Sequence, residues 1–153
     1  LKMIQYKTAV LVAAAMKMGA LVAEASVENA DLIYEFGLNL GLAFQLQDDY
    51  LDAFGNPETF GKRVGGDIIE NKKTYLYLKA IAFSKKEDAA QLQQLFTLQL
   101  EDNGIKIESV KDIFNNSGAS KANQDAIQEY TFKAFETLEK MNSNCIEREF
   151  VKL

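Results

Sequence analysis

The chain is expected to fold as an all-α protein, and three observations carry that expectation. A single proline and nine glycines are spread over 153 residues, so few positions interrupt a helix. Apolar residues recur at intervals of three and four through most of the chain, the period of a helix with a buried face. No run alternates apolar and polar residues convincingly enough to read as a half-buried strand.

Ile4 to Ala25 reads as the first helix, alanine-rich and free of proline, with Met3, Val10, Ala14 and Met18 on roughly one face. Gly19 inside it suggests a close helix–helix approach or a soft spot. Asn29 can cap the second helix, expected from Ala30 to about Phe54. Leu32, Ile33, Phe36, Leu38, Leu40, Leu42 and Phe44 cover most of its circumference, so its first half belongs in the interior of an assembly. Gly55-Asn56-Pro57 ends it, and Gly55 to Gly66 holds four glycines and the only proline, a loop with backbone freedom. Further helices are expected over Lys72 to Ser84 and over Lys86 to Leu100, the latter burying Ala89, Leu92, Leu95 and Phe96. A shorter helix follows from Ile107 to Asn116, ended by Ser117-Gly118. Ser120 to Met141 is amphipathic, with Ile127, Tyr130, Phe135 and Leu138 at helical spacing. Asn142 to Leu153 carries no clear pattern, and no internal repeat runs through the chain.

Composition narrows the chemistry. A net charge of −5 and a pI near 4.8 argue against a general nucleic-acid binder, whose phosphate contacts need a basic surface. Cys145 is the only cysteine, which rules out an intramolecular disulfide and a cysteine-rich zinc site. There is no histidine, so Ser-His-Asp and Cys-His catalysis are excluded as well. Chemistry must run on carboxylates, lysines and metals that prefer oxygen. No run of about 18 uncharged apolar residues marks a membrane span.

One stretch concentrates such groups. Gly41-Leu42-Ala43-Phe44-Gln45-Leu46-Gln47-Asp48-Asp49-Tyr50-Leu51-Asp52 places three carboxylates at the end of an apolar helix. Asp48 and Asp52, four residues apart, share one face, with Asp49 offset by about a third of a turn. Gln45 and Phe44 lie on the same edge. Carboxylates in apolar surroundings need a cation or dense hydrogen bonding in compensation. Mg²⁺ takes six oxygens at about 2.1 Å, commonly one or two carboxylates with waters and substrate phosphate, and an i, i+4 pair supplies its share. By itself the acidic triplet could equally be a solvated helix end, although acid near a helix C-terminus opposes the macrodipole. Lys62 and Lys72 flank the Gly65-Gly66 turn, whose backbone N–H groups can approach an anion.

Together these residues resemble the trans-prenyltransferases, the isoprenyl (polyprenyl) diphosphate synthases. The resemblance rests on Lys7-Thr8, then Gly41-x-Ala43-Phe44-Gln45-x-x-Asp48-Asp49-Tyr50-Leu51-Asp52, then Gly61-Lys62, then Asp67-Ile68-x-x-x-Lys72-x-Thr74. It covers about Tyr6 to Ala80 closely, and beyond that the helical pattern fits without diagnostic residues. It implies the C-terminal part of an isoprenoid-synthase helical bundle. It also implies Mg²⁺-assisted ionisation of an allylic diphosphate, whose cation isopentenyl diphosphate then attacks. Asp48, Asp49 and Asp52 would be the second Asp-rich motif, with Asp48 the direct Mg²⁺ ligand and the others holding metal-bound waters. Lys7 and Lys62 would contact the allylic diphosphate, and Lys72 would support the same anion. Thr8 and Gln45 would stabilise the carbocation, and Phe44 would border the isopentenyl site. The expected location is cytoplasmic, the intact protein is expected to be a homodimer as the family usually is, and neither nucleic acid nor a membrane span is expected.

The pattern also departs from the family. The first Asp-rich motif and the residues that grip isopentenyl diphosphate have no counterpart here, and the only arginines are Arg63 and Arg148. The expectation is therefore the C-terminal portion of a longer synthase domain, inactive by itself. The alternative is a non-catalytic regulatory subunit with the same fold. A terpene cyclase is disfavoured, because its usual second metal motif does not fit these residues. A plain helical interaction domain would make the acidic turn accidental.

Overall fold

The computed structural model describes residues 1–56, 64–98 and 103–141, and every regular element among them is a helix. In order these are α1 (Lys2–Ile4), a π-helical turn (Gln5–Ala9), α2 (Val10–Val22), α3 (Val27–Phe54), α4 (Gly66–Ile69), α5 (Tyr75–Phe83), α6 (Lys86–Leu95), α7 (Asn103–Asn116) and α8 (Ala119–Lys140). The all-α expectation is met, and no helix among the described residues is long and apolar enough to cross a membrane. The described residues form two compact units, one from Leu1–Ala43 with those from Gln128 to Met141, the other within Phe44–Ile127.

In the first unit the buried side of α1–α2 is not the one that hydrophobicity selects. Ile4, Ala9 and Ala13 are buried, whereas Met3 and Met18 are exposed. The reason is a tight helix contact. A Cβ on Gly41 would sit 2.7 Å from the Cα of Ala9, and one on Gly37 would sit 2.9 Å from the Cα of Ala13. Small residues on both helices let the backbones touch, so alanine outranks methionine at the seam. Of the two readings of Gly19, the close approach is not met among the described residues, since none lies within 4 Å of a Cβ built there. A second cluster joins Phe36 to Ala134 and Leu138, with the Phe36 and Phe135 rings 6.5 Å apart, edge to face.

Helix α3 starts at Val27, earlier than expected, because Ser26 rather than Asn29 provides the cap. Ser26 Oγ accepts the N–H of Asn29 at 3.2 Å, which satisfies a donor the first turn cannot pair internally.

The second unit is built on the packing of α5, α6 and α7. Leu76, Tyr77 and Ala80 meet Leu92 and Phe96, and both sets meet Val110, Ile113 and Phe114. The Tyr77 and Phe96 rings lie 4.4 Å apart. Helix α6 stops at Leu95 rather than running on, as Thr97 turns to donate its Oγ1 to the Gln94 carbonyl. Helix α7 begins at Asn103, before the expected Ile107, and α5 begins at Tyr75 rather than Lys72. The short α4 lies in what the sequence reads as loop and turn.

Candidate functional site

Three aspartates stand on the last turns of α3, and their surroundings come from the loop that returns through α4 to α5. Asp52 Oδ2 accepts the backbone N–H of Asp67 at 2.9 Å, at the start of α4. Gly65 makes this possible: its φ of +84° suits glycine, and its N–H donates to the Asp52 carbonyl at 2.6 Å. Ile107 fills the space where a Cβ at Gly65 would stand, 2.7 Å away. The turn after the glycine pair thus brings the Asp67 backbone N–H to a protein carboxylate, that of Asp52.

Asp49 is held differently. Gln45 Nε2 donates to its Oδ1 at 3.0 Å, one turn back along α3, and the Tyr75 backbone N–H donates at the start of α5. A carboxylate at that helix N-terminus meets an unpaired donor and the positive end of the dipole. Burial nevertheless dominates. It pushes the Asp49 carboxyl up to about 6, with the charges of Asp67 and Asp48 adding to the rise and the two donors opposing it. Burial also raises Asp52, against the Asp67 N–H, with the Asp67 charge raising it further.

Asp67 is the group that helix spacing does not reveal. It brings a fourth carboxylate toward Asp49 and Asp52, and its Oδ1 accepts Lys72 Nζ at 2.8 Å. Lys72 also reaches Glu70 at 2.9 Å, and both bonds raise its pKa. Lys72 does not lie on α5. It follows Asn71, which adopts a left-handed turn with φ +57°. Lys106, buried at 1% exposure, holds that turn by donating Nζ to Asn71 Oδ1 at 2.7 Å and to the Leu98 carbonyl at 3.1 Å. Its pKa is lowered by burial. Lys106 carries no sequence signal beyond a lysine in a helix.

The second unit therefore gathers Gln45, Asp48, Asp49, Asp52 and Lys72, with Asp67 added. Phe44 begins that unit and is 65% exposed. Lys7, exposed, and Thr8, half-buried, lie on the π-helical turn of the other unit. Single π turns inside helices often mark functional positions. Lys62 lies outside the described residues.

Among the described residues, the carboxylates of Asp48, Asp49, Asp52 and Asp67 on one stretch of chain suit a hard cation. All donors are oxygens, and burial first and neighbouring carboxylates second raise Asp49 and Asp52, a cost that a bound cation would offset. Among the described residues no group of three acids closes into a metal cage. An ion that keeps waters and takes oxygens from a phosphate ligand needs no such cage. The residues present fit Mg²⁺ of that kind.

Comparison with known proteins agrees with the geometry. Residues 1–115 match the family model for polyprenyl synthetase. A short chain isoprenyl diphosphate synthase from Methanothermobacter thermautotrophicus is 35% identical over 139 residues, 91% of this chain and 42% of that protein. A crystal structure of geranylgeranyl pyrophosphate synthase is 49% identical with a TM-score of 0.88, covering 97% of this chain and 46% of the other. A polyprenyl synthase from Caulobacter crescentus CB15, solved with calcium and isoprenyl diphosphate, is 38% identical with a TM-score of 0.83, covering 92% of this chain and 43% of that one. The chain thus spans less than half the length of these relatives. The aspartate face, the returning loop and the match over residues 1–115 converge: the chain belongs to the polyprenyl synthetase family.

Proposed function

We propose that this chain supplies the C-terminal, diphosphate-ionising portion of a trans-prenyltransferase, which joins isopentenyl diphosphate to an allylic diphosphate. The observation that carries the proposal is the acidic face of Asp48, Asp49 and Asp52 at the end of α3, where Asp49 is buried and Asp48 and Asp52 are half-buried, with Lys72 acting on Asp52. The relatives' names support the substrate class, and the calcium and isoprenyl diphosphate bound by one of them support a cation-bridged diphosphate.

Mg²⁺ bound at that face would supply the positive charge that stabilises a departing diphosphate. Asp48 would be its direct protein ligand. Asp49 and Asp52, each accepting a backbone N–H, would hold metal-bound waters. Lys7, Lys62 and Lys72 would place ammonium groups on the allylic diphosphate as mobile point charges. Gln45 donates its Nε2 to Asp49, so Oε1 is the electron-rich atom it offers a carbocation, together with the Thr8 hydroxyl. Phe44, with an exposed ring, would border the isopentenyl site and help keep water from the cation. The site needs no histidine or nucleophile, in keeping with a chain that has no histidine.

The isopentenyl grip and the first Asp-rich motif would come from the part of the synthase that the relatives have in addition. This chain alone should then bind diphosphate without transferring prenyl groups. The assembled enzyme is proposed to be a cytoplasmic homodimer, supported by the single cysteine and by the exposed apolar residues Leu11, Met18 and Val22 along α2.

Calorimetric titration of the chain with inorganic diphosphate, with and without Mg²⁺, tests the binding role. Binding that requires Mg²⁺ and disappears in Asp48→Ala supports it. Binding indifferent to Mg²⁺ and to Asp48 argues for the regulatory-subunit alternative.

A further inference from the structure

Helix α8 grips the aspartate-bearing helix at Leu46 and Tyr50, on the side away from Asp48 and Asp52. Asn123, fully buried, donates Nδ2 to the Leu46 carbonyl at 3.0 Å. Its neighbour Gln124 donates Nε2 to the Tyr50 hydroxyl at 2.6 Å. Leu46 and Tyr50 are one turn apart on α3, as are Asp48 and Asp52. The two pairs are offset by two residues, roughly 200° around the helix axis.

Asn123 is a costly residue if its only task is packing. Its Oδ1 is buried with no hydrogen-bond partner among the described residues. The Leu46 carbonyl lies inside α3 and already accepts that helix's own bond from the Tyr50 N–H. An apolar side chain of similar volume would therefore remove an orphaned acceptor and strand no donor. What the amide adds is direction. Its bond to one carbonyl, with the Gln124 bond one turn further on, fixes both the rotation and the axial position of α3.

We propose that Asn123 and Gln124 are positioning residues that act through Leu46 and Tyr50 to aim Asp48, Asp49 and Asp52 at a diphosphate-bound cation. This rests on the prenyl-diphosphate reading given above. Supports behind metal ligands commonly govern affinity as strongly as the ligands' own orientation requires, with losses of about 10- to 100-fold on mutation.

The test uses Asn123→Leu, Gln124→Leu and Tyr50→Phe in the full 153-residue chain. Three quantities are read: Tm, the NMR resonance of the Gln45 side-chain amide that bonds Asp49, and Mg²⁺-dependent affinity for inorganic diphosphate. Asn123→Leu is expected to keep or raise Tm, shift the Gln45 resonance and weaken diphosphate binding about tenfold or more. Tyr50→Phe and Gln124→Leu should weaken binding by similar factors, and combining them should add little to either alone. An unshifted Gln45 resonance with unchanged affinity overturns the proposal, as does weakened binding that only follows a fall in Tm. If the parent chain binds no diphosphate with Mg²⁺, the prenyl-diphosphate reading fails instead. The Gln45 resonance then still decides: a shift in Asn123→Leu upholds the positioning role, and its absence overturns it.

Discussion

Asp52 and Asp67, fifteen residues apart, are joined by a 2.9 Å hydrogen bond from the Asp67 backbone N–H to Asp52 Oδ2. One carboxylate of the acidic motif therefore organises the loop that carries Lys72, besides any part it plays toward a cation. The two roles separate by substitution. Asp52→Asn keeps an acceptor for the Asp67 N–H and should leave Tm nearly unchanged while weakening Mg²⁺-dependent diphosphate binding. Asp52→Ala loses both, with a stability cost of about 1 kcal/mol, the usual worth of a capping side chain. Melting curves and calorimetry on the two variants check the split, and equal Tm losses would count against it.

Asp49 gives the unliganded chain a distinctive pH dependence. Its carboxyl is raised from the usual 3.8 to about 6, chiefly by burial. Between those values the folded chain holds a proton that the unfolded chain has released, so this group's contribution to stability falls as pH rises through that window and is level above it. Asn at this position has no such term. The stability of Asp49→Asn relative to wild type should therefore grow from pH 4 to about pH 6, by on the order of 2–3 kcal/mol in EDTA. Saturating Mg²⁺ should narrow the gap by favouring the ionised form in the fold. Denaturant unfolding across pH, with EDTA or Mg²⁺, measures both; a gap that shrinks toward pH 6 in EDTA contradicts the assignment.

The seam that α3 forms with the π-helical turn and α2 should tolerate no added carbon. A methyl at Gly41 meets the Cα of Ala9 at 2.7 Å and its Cβ at 3.0 Å, and neither backbone can yield without separating the helices. Gly41→Ala is expected to cost about 1–3 kcal/mol despite alanine's better helix propensity. Gly19→Ala, with open space around it, should be neutral or stabilising. Thermal unfolding of the pair distinguishes the two sites.

Those two glycines also show what a sequence leaves hidden. Helix period and sparse proline revealed the all-α class and most helices to within a few residues, because periodicity reports a buried face directly. It misjudged which face of the first helix is buried, since Ala9 and Ala13 win their place through close backbone contact rather than apolar area. The Ser26 cap displaced Asn29 because both residue types can cap and only the chain path decides between them. The π-helical turn beneath Lys7 and Thr8 has no signature in residue type. Asp48, Asp49 and Asp52 stood out through their i, i+4 spacing and apolar approach. Asp67 entered only as a letter of the family pattern, without a role, and Lys106 not at all, because their roles come from a returning loop that no local spacing encodes.

The central claim is that Asp48 helps to drive Mg²⁺-dependent ionisation of an allylic diphosphate. Prenyl transfer by the full open reading frame encoding this chain tests it most directly, with labelled isopentenyl diphosphate, an allylic primer and Mg²⁺. The account predicts a Mg²⁺-dependent prenyl product whose formation falls by at least about a hundredfold in Asp48→Ala, with Tm preserved. Product formation unaffected by Asp48→Ala, or no product from a folded protein, would contradict it.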